Sequence, residues 1–331
     1  MKNNFVSDSR CLQQSNFLLV IFLVAIASLP MAFNGVFADS DIYYSQSQLL
    51  WTMGLRDGIE YIFFRTGKVE VGFLIILYLE QYIANSEFSF IFINCLISNI
   101  LFFQLYNKFS ETSNITAKKA FILFFCYFSF SNAMYVWRTI ISIYFLILSI
   151  KSNSKLLSIL FLAIAFSFHY SAIIFVSIYL LSTFLPNTKP LTVLFAIFLS
   201  ISFFFTESIL QSFDFVMSAQ SSDIYTEANN DQWKRIFIGL YLLFVILLCD
   251  WNGSNSKHIH LFKFCAILSI LSVFASSNYQ LSWRIHAPVE IIAPCLALAT
   301  QRSSRNSILL LVLSTIPTLR LMFLLFTGHF Q

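Results

Sequence analysis

Residues Trp137 to Ser171, WRTIISIYFLILSIKSNSKLLSILFLAIAFSFHYS, read as two apolar runs folded back on one another. The first, Thr139 to Ile150, and the second, Leu156 to Phe168, are separated by Lys151-Ser152-Asn153-Ser154-Lys155. The chain is therefore expected to cross an apolar layer, turn at the lysines and cross back, which returns His169 to the side where Arg138 sits. Charged and titratable groups at the ends of spans resist burial unless they have a partner or a task. A matched arginine and histidine point to an anionic ligand.

Composition extends that reading to the whole chain. Of 331 residues, 58% are hydrophobic, 11% are charged and 40 are Phe, with only 8 Gly and 6 Pro, and the mean hydropathy is +0.75. This predicts an all-α polytopic integral membrane protein, a single transmembrane domain over 1–331 with about 10 to 12 membrane helices. Apolar runs fall near 17–36, 88–106, 119–136, 139–150, 156–168, 171–185, 190–206, 235–249, 261–277, 287–300 and 307–327. Segment 37–70 is then a first outer loop and 207–234 a second. Val36-Phe37-Ala38 resembles a cleavage site, but the polytopic context favours an uncleaved anchor. The six cysteines, Cys11, Cys95, Cys126, Cys249, Cys265 and Cys295, are scattered and read as small apolar residues.

Orientation follows from lysine and arginine. With the N-terminus cytoplasmic and 70–84 a partial, re-entrant helix, the inner loops hold Lys2, Arg10, Lys108, Lys118, Lys119, Lys151, Lys155, Lys189, Lys257, Lys263, Arg302 and Arg305, 12 of the 20 basic residues. Most acids lie outside. A full crossing at 70–84 would instead export Lys108, Lys118 and Lys119. The outward face then gathers three elements: the Asp39 to Glu70 loop, the Arg138 and His169 pair, and Asn278-Tyr-Gln-Leu-Ser-Trp283-Arg284-Ile-His286.

At this face the order Asp39-Ser-Asp41-Ile-Tyr43-Tyr44, Val69-Glu70-Val-Gly72-Phe73, Trp137-Arg138, Ser167-Phe-His169-Tyr-Ser171-Ala172 and Trp283-Arg284 resembles the EpsG family of exopolysaccharide proteins. Those are relatives of the Wzy-type polymerases of O-antigen and capsule. The resemblance covers roughly residues 17 to 300, and the order and common sidedness of its short motifs carry it. One departure is Thr139, where the family more often has glutamine after the arginine.

The resemblance implies a polymerase at the outer face of the bacterial inner membrane that joins oligosaccharide repeat units linked to undecaprenyl pyrophosphate. Membrane lipid, a chain-length regulator and a repeat-unit flippase are the partners to expect. Arg138 and Arg284 suit the dianionic leaving group, since guanidinium forks bind phosphate bidentately and stabilise charge as it develops. His169, Asp41 and Glu70 are the outward groups able to accept the acceptor hydroxyl's proton. Tyr43, Tyr44 and Trp283 offer faces for sugars, and His286 sits among them. No cofactor or metal is called for.

Each residue also has a structural reading. Arginines beside tryptophans are ordinary interfacial anchors, His169 is equally a satisfied structural histidine, and Asp39, Asp41 and Glu70 suit helix caps. Asp39-Ser-Asp41 also has the spacing of the acidic pair in lipid-dependent glycosyltransferases of the GT-C type, which would bring a divalent metal. A transporter or flippase of lipid-linked sugars is the rival of another class, although no internal repeat is visible and the polar groups gather at one face. Nucleic acid is not a partner, because the net charge of +4 is accounted for by inner-loop lysines. Asn114-Ile-Thr116 falls in an inner loop, His258 and His260 lack a third ligand, and Arg320 follows a bending Pro317 in the last run.

Overall fold

The computed structural model describes residues 39–67, 69–109, 137–210, 232–249, 251, 256–277 and 279–300, with residues 25, 28, 29, 32 and 33 ahead of them. Among the described residues there are eleven helices with defined ends and no strand: α1 Asp39–Met53, α2 Leu55–Thr66, α3 Val71–Glu80, α4 Glu87–Phe109, α5 Trp137–Lys151, α6 Lys155–Phe168, α7 Ala172–Phe184, α8 Lys189–Leu210, α9 Gln232–Leu248, α10 Ser256–Phe274 and α11 Tyr279–Thr300. A 3-10 turn, Ala275–Ser277, joins the last two. The runs expected near 119–136 and 307–327, most of 17–36, Arg320 and the Asn114 loop lie outside the described residues.

The hairpin that opened the reading is present. Ser154 caps α6 by accepting from Leu157 N–H, and across the turn Ser149 Oγ and Ser158 Oγ share a 2.7 Å hydrogen bond. Polar residues thus close the lysine end while α5 and α6 run antiparallel. In the C-terminal half α10 is the axis, packed on α7, α8, α9 and α11. Its residues Leu261, Phe262, Phe264, Cys265, Ala266, Ile267 and Leu268 are all buried, as a helix apolar on every side must be.

Contacts sort the helix termini into two ends of the bundle. At one end Lys189 Nζ donates to the carbonyls of Leu247 (2.6 Å) and Cys249 (2.7 Å), and Lys263 Nζ donates to those of Leu185 (2.5 Å) and Ser182 (3.2 Å). Each ammonium satisfies carbonyls that a helix C-terminus leaves open and meets the negative end of its dipole. The 152–154 turn lies at this lysine end too. Glu70, Arg138, His169 and Arg284 lie at the opposite end.

The segment read as a first outer loop is helical over most of its length. Tyr43 packs on Phe73, Ser47 Oγ donates to the Leu77 carbonyl at 2.8 Å, and Trp51 packs on Tyr78 and Tyr82. That constant offset makes α1 and α3 parallel, with α2 running back between them. The turn before α3 needs Gly67, whose φ of 66° is costly for other residues. The polar residues between 37 and 70 hid these helices, because α1 carries no continuous apolar stripe and that of α2, along Leu55, Ile59 and Ile62, is short.

The expected partial helix is the ten-residue α3. Phe90 lies against Trp137 at the cavity end, and farther along α4 Asn94 Nδ2 donates to Glu80 Oε2 at 2.9 Å. Hence α3 and α4 both lead away from that end, and residues 81–86 double back between them. Among the described residues no helix is long and apolar enough to cross a membrane as a simple span. Helices α5, α6 and α7 have 15, 14 and 13 residues, about 20 to 22 Å each at 1.5 Å per residue, short of a hydrocarbon layer of about 30 Å.

Candidate active site

The site is built on Glu70, which precedes α3. Its Oε2 accepts from Arg138 Nη1 at 2.6 Å, and its Oε1 pairs with His169 Nδ1 at 2.8 Å and accepts from the Tyr170 N–H at 3.3 Å. One carboxylate therefore fastens the start of α5 to the α6–α7 turn. Approach is possible because the second residue of α3 is Gly72. A β-carbon there would overlap Ser167 Oγ and lie 3.2 Å from the Ser167 carbonyl carbon, and Ser167 is itself tied to the Ile164 carbonyl at 2.7 Å. Gly72→Ala is expected to push α3 off α6 and cost about 1 to 3 kcal/mol of stability. It should also lower activity by stretching the Glu70 to His169 contact. Thermal unfolding and product formation on the same preparation check both.

Arg138 is fixed from three sides. Besides Glu70, its guanidinium carbon lies 4.9 Å from the Tyr43 ring centre and 5.7 Å from that of Phe73. Its side chain keeps 30% exposure and lines the cavity. Arg284, on the first turns of α11, is exposed and has no acidic partner among the described residues. Both arginines line one cavity of about 230 Å³ with Glu70, His169, Tyr170 and Ser171. Two guanidiniums against one carboxylate leave it net positive.

Burial pushes the Glu70 carboxyl up, but the hydrogen bond from His169 and the Arg138 charge outweigh it and hold it at about 2. Burial lowers the pKa of His169, with Arg138 and Arg284 adding repulsion and Glu70 opposing. A neutral imidazole lends Glu70 a hydrogen bond and no charge, so near pH 7 the counter-ion of the carboxylate is Arg138. In that state Nδ1 carries the proton donated to Glu70 Oε1. The lone pair is left on Nε2, which has no hydrogen-bond partner among the described residues.

Both groups bind fewer protons folded than unfolded in the acid range, so stability falls as pH falls. The His169 contribution is complete above about 6.5 and fades below it, and that of Glu70, of the order of 3 kcal/mol, is lost from about 4.5 down towards 2. Wild-type protein in detergent should unfold at progressively lower temperature below about pH 6.5, whereas Glu70→Gln should show a flatter profile.

Not every expected residue reaches the cavity. Asp41 is exposed on the first turn of α1 and does not line it. Tyr43 is buried between Phe73 and Trp137, so it supports Arg138 and presents no face to a sugar. Tyr44 turns to Phe90. His286 is fully buried with Nε2 3.3 Å from Glu290 Oε1, because two residues beyond Arg284 a helix faces about 200° away. The side chains of Trp283 and Asp39 lie outside the described residues. Among the described residues no group of three His, Cys, Asp or Glu is placed to hold a metal ion. Gln46 and Thr66 line the cavity without having been singled out, the missing signal being the helical pairing of α1 with α2, and Tyr170 and Ser171, marked in the sequence only as part of the motif around His169, line it too.

Among the described residues the protein is a helical bundle in which a buried carboxylate, a histidine and two guanidiniums surround one end cavity, a net positive site of a kind that suits an anionic ligand. The model of the EpsG family matches residues 16–330, and the chain belongs to that family. The family is associated with exopolysaccharide biosynthesis and Wzy-like polymerases. No curated protein and no solved structure matches the chain.

Proposed function

We propose that the protein is a polytopic polymerase of the bacterial inner membrane, joining oligosaccharide repeat units carried on undecaprenyl pyrophosphate. The observation that carries this reading is the His169 to Glu70 contact of 2.8 Å in the cavity that Arg138 and Arg284 share. A base and an anion site stand side by side, as glycosyl transfer from a lipid pyrophosphate requires. The acceptor hydroxyl gives its proton to His169 Nε2 while its oxygen bonds to the anomeric carbon of the donor. The bond from that carbon to pyrophosphate breaks, and the electron pair leaves with the lipid pyrophosphate against Arg138 and Arg284. Glu70 holds the imidazole in the required tautomer and stabilises the imidazolium, the work of the carboxylate in a hydrolytic triad.

The sidedness of the bundle supports an outer position for the cavity. Lys151, Lys155, Lys189 and Lys263 gather at or beside the opposite end, which the positive-inside rule assigns to the cytoplasm. In this arrangement α3 is re-entrant, sheltered by α1, α2 and α6, as irregular membrane segments must be. Asp41 stands outside the cavity, which weighs against the acidic-pair transferase reading.

Glycan extracted from cells with and without the protein tests the reading. Single repeat units in the deletion and a ladder in the wild type are the expected pair. Repeat units that never reach the outer face would assign a transporter instead, and an incomplete repeat would assign a transferase adding one sugar.

A further inference from the structure

Tyr170 combines exposure with restraint. The residue is 49% exposed and lines the cavity, directly after His169. Its hydroxyl is already occupied: it donates to the Val69 carbonyl and accepts from the Val69 N–H at 3.3 Å. Both polar groups of one backbone residue hold the phenol, and the Tyr170 N–H is held by Glu70 Oε1 at 3.3 Å. The ring is therefore fixed before any ligand arrives, with its hydroxyl spent and only apolar ring surface left to offer.

The neighbouring wall differs from the charged one. Helices α1 and α2 contribute only the uncharged Gln46, Ile62 and Thr66. The Gln46 amide has no hydrogen-bond partner among the described residues, which leaves two donors and an acceptor for a ligand. A rigid aromatic surface beside an open amide suits a pyranose ring, whose axial C–H face is apolar and whose rim carries hydroxyls. The phosphate-binding wall with Arg138 and Arg284 offers neither feature. The cavity, about 230 Å³, is below the roughly 300 to 1,000 Å³ of pockets that enclose a drug-sized ligand, so it takes in only the reacting end of a glycan.

We propose that Tyr170 and Gln46 form a sugar subsite, with Tyr170 as the stacking platform for the pyranose beside the bond being made and Gln46 reading its hydroxyls. This assignment rests on the polymerase reading and replaces Tyr43 and Tyr44, which the fold buries or turns away. A rigid aromatic platform costs little ordering entropy on binding.

Three variants and two ligands test it in purified, reconstituted protein. The probes are inorganic pyrophosphate and the repeat-unit oligosaccharide released from cell-surface glycan by mild acid, free of lipid and phosphate. Tyr170→Ala should lower affinity for the oligosaccharide about tenfold or more, the range that loss of one stacked ring gives for nucleobases, and leave pyrophosphate binding unchanged. Tyr170→Phe keeps the ring and loses the tether to Val69, and should fall between wild type and alanine. Gln46→Ala should weaken the oligosaccharide alone. Saturation-transfer NMR on wild type should place the bound contacts on ring C–H protons of one sugar. Equal weakening of both ligands by Tyr170→Ala would mean that the residue only holds the fold, and unchanged oligosaccharide affinity would remove the subsite. Either result leaves the polymerase reading standing if the wild type still extends chains; a wild type that binds the oligosaccharide but never extends it overturns that reading and not the subsite.

Discussion

Glu70→Gln should abolish chain extension while leaving the protein folded in the membrane. The amide matches the carboxylate in size, but its single acceptor oxygen cannot serve Arg138 Nη1 and His169 Nδ1–H at once and carries no charge to stabilise an imidazolium. Either Arg138 is released from its place or the imidazole loses the acceptor that keeps its lone pair on Nε2. The orienting carboxylate of a hydrolytic triad is worth roughly 10⁴ in turnover, and a loss of about 10³ or more is expected here. Glu70→Ala should be worse in stability. It leaves the half-buried Arg138 without its 2.6 Å counter-ion and His169 without a hydrogen-bond acceptor, a class of change that costs up to about 3 to 5 kcal/mol for fully buried pairs and less for an arginine that keeps 30% exposure. Turnover of reconstituted protein separates the two substitutions from simple unfolding when both are matched for protein in the membrane.

Arg138→Ala and Arg284→Ala should each lower extension by about 10² to 10³, since removing one donor from a preorganised anion site costs about 3 to 4 kcal/mol. Their signatures should differ. Arg138 is locked by Glu70 and stacked over Tyr43, so its loss should appear mainly in kcat and should also lower stability. Arg284 is exposed and without an acidic partner among the described residues, so its loss should raise KM as well and leave unfolding unchanged. Lysine at either position should restore part of the activity, because an ammonium is a point charge where a guanidinium is a fork. Steady-state kinetics of the four variants, alongside unfolding curves, check the division.

The convergence of Glu70, Arg138, His169 and Arg284 was legible because it rests on topology. Apolar runs of similar length with lysines in the turns force alternate ends to one side, and these four residues sit at such ends. Side-chain direction was not legible. Tyr43 and Tyr44 are adjacent in sequence and share a plausible chemistry, yet helical geometry sends one under Arg138 and the other to Phe90. His286 and Arg284 are two residues apart, enough on a helix to bury one and expose the other. The α1–α2 hairpin escaped because the density of polar and charged residues between Asp39 and Arg65 reads as a loop, although Leu55, Ile59 and Ile62 share one apolar face of α2. Gln46 was hidden for a related reason, since a lone glutamine gains meaning only from the cavity around it, and Tyr170, though part of the motif around His169, showed no role of its own until its ring was placed in that cavity.

The central claim is that glycan joining takes place in the cavity where Glu70 meets His169 and Arg138. The most direct measurement supplies lipid-pyrophosphate-linked repeat units to liposomes containing purified wild type or Glu70→Gln at equal protein, and resolves the products on a gel. A ladder from wild type and unextended single units from Glu70→Gln is the predicted result. A full ladder from both would place the chemistry elsewhere in the protein.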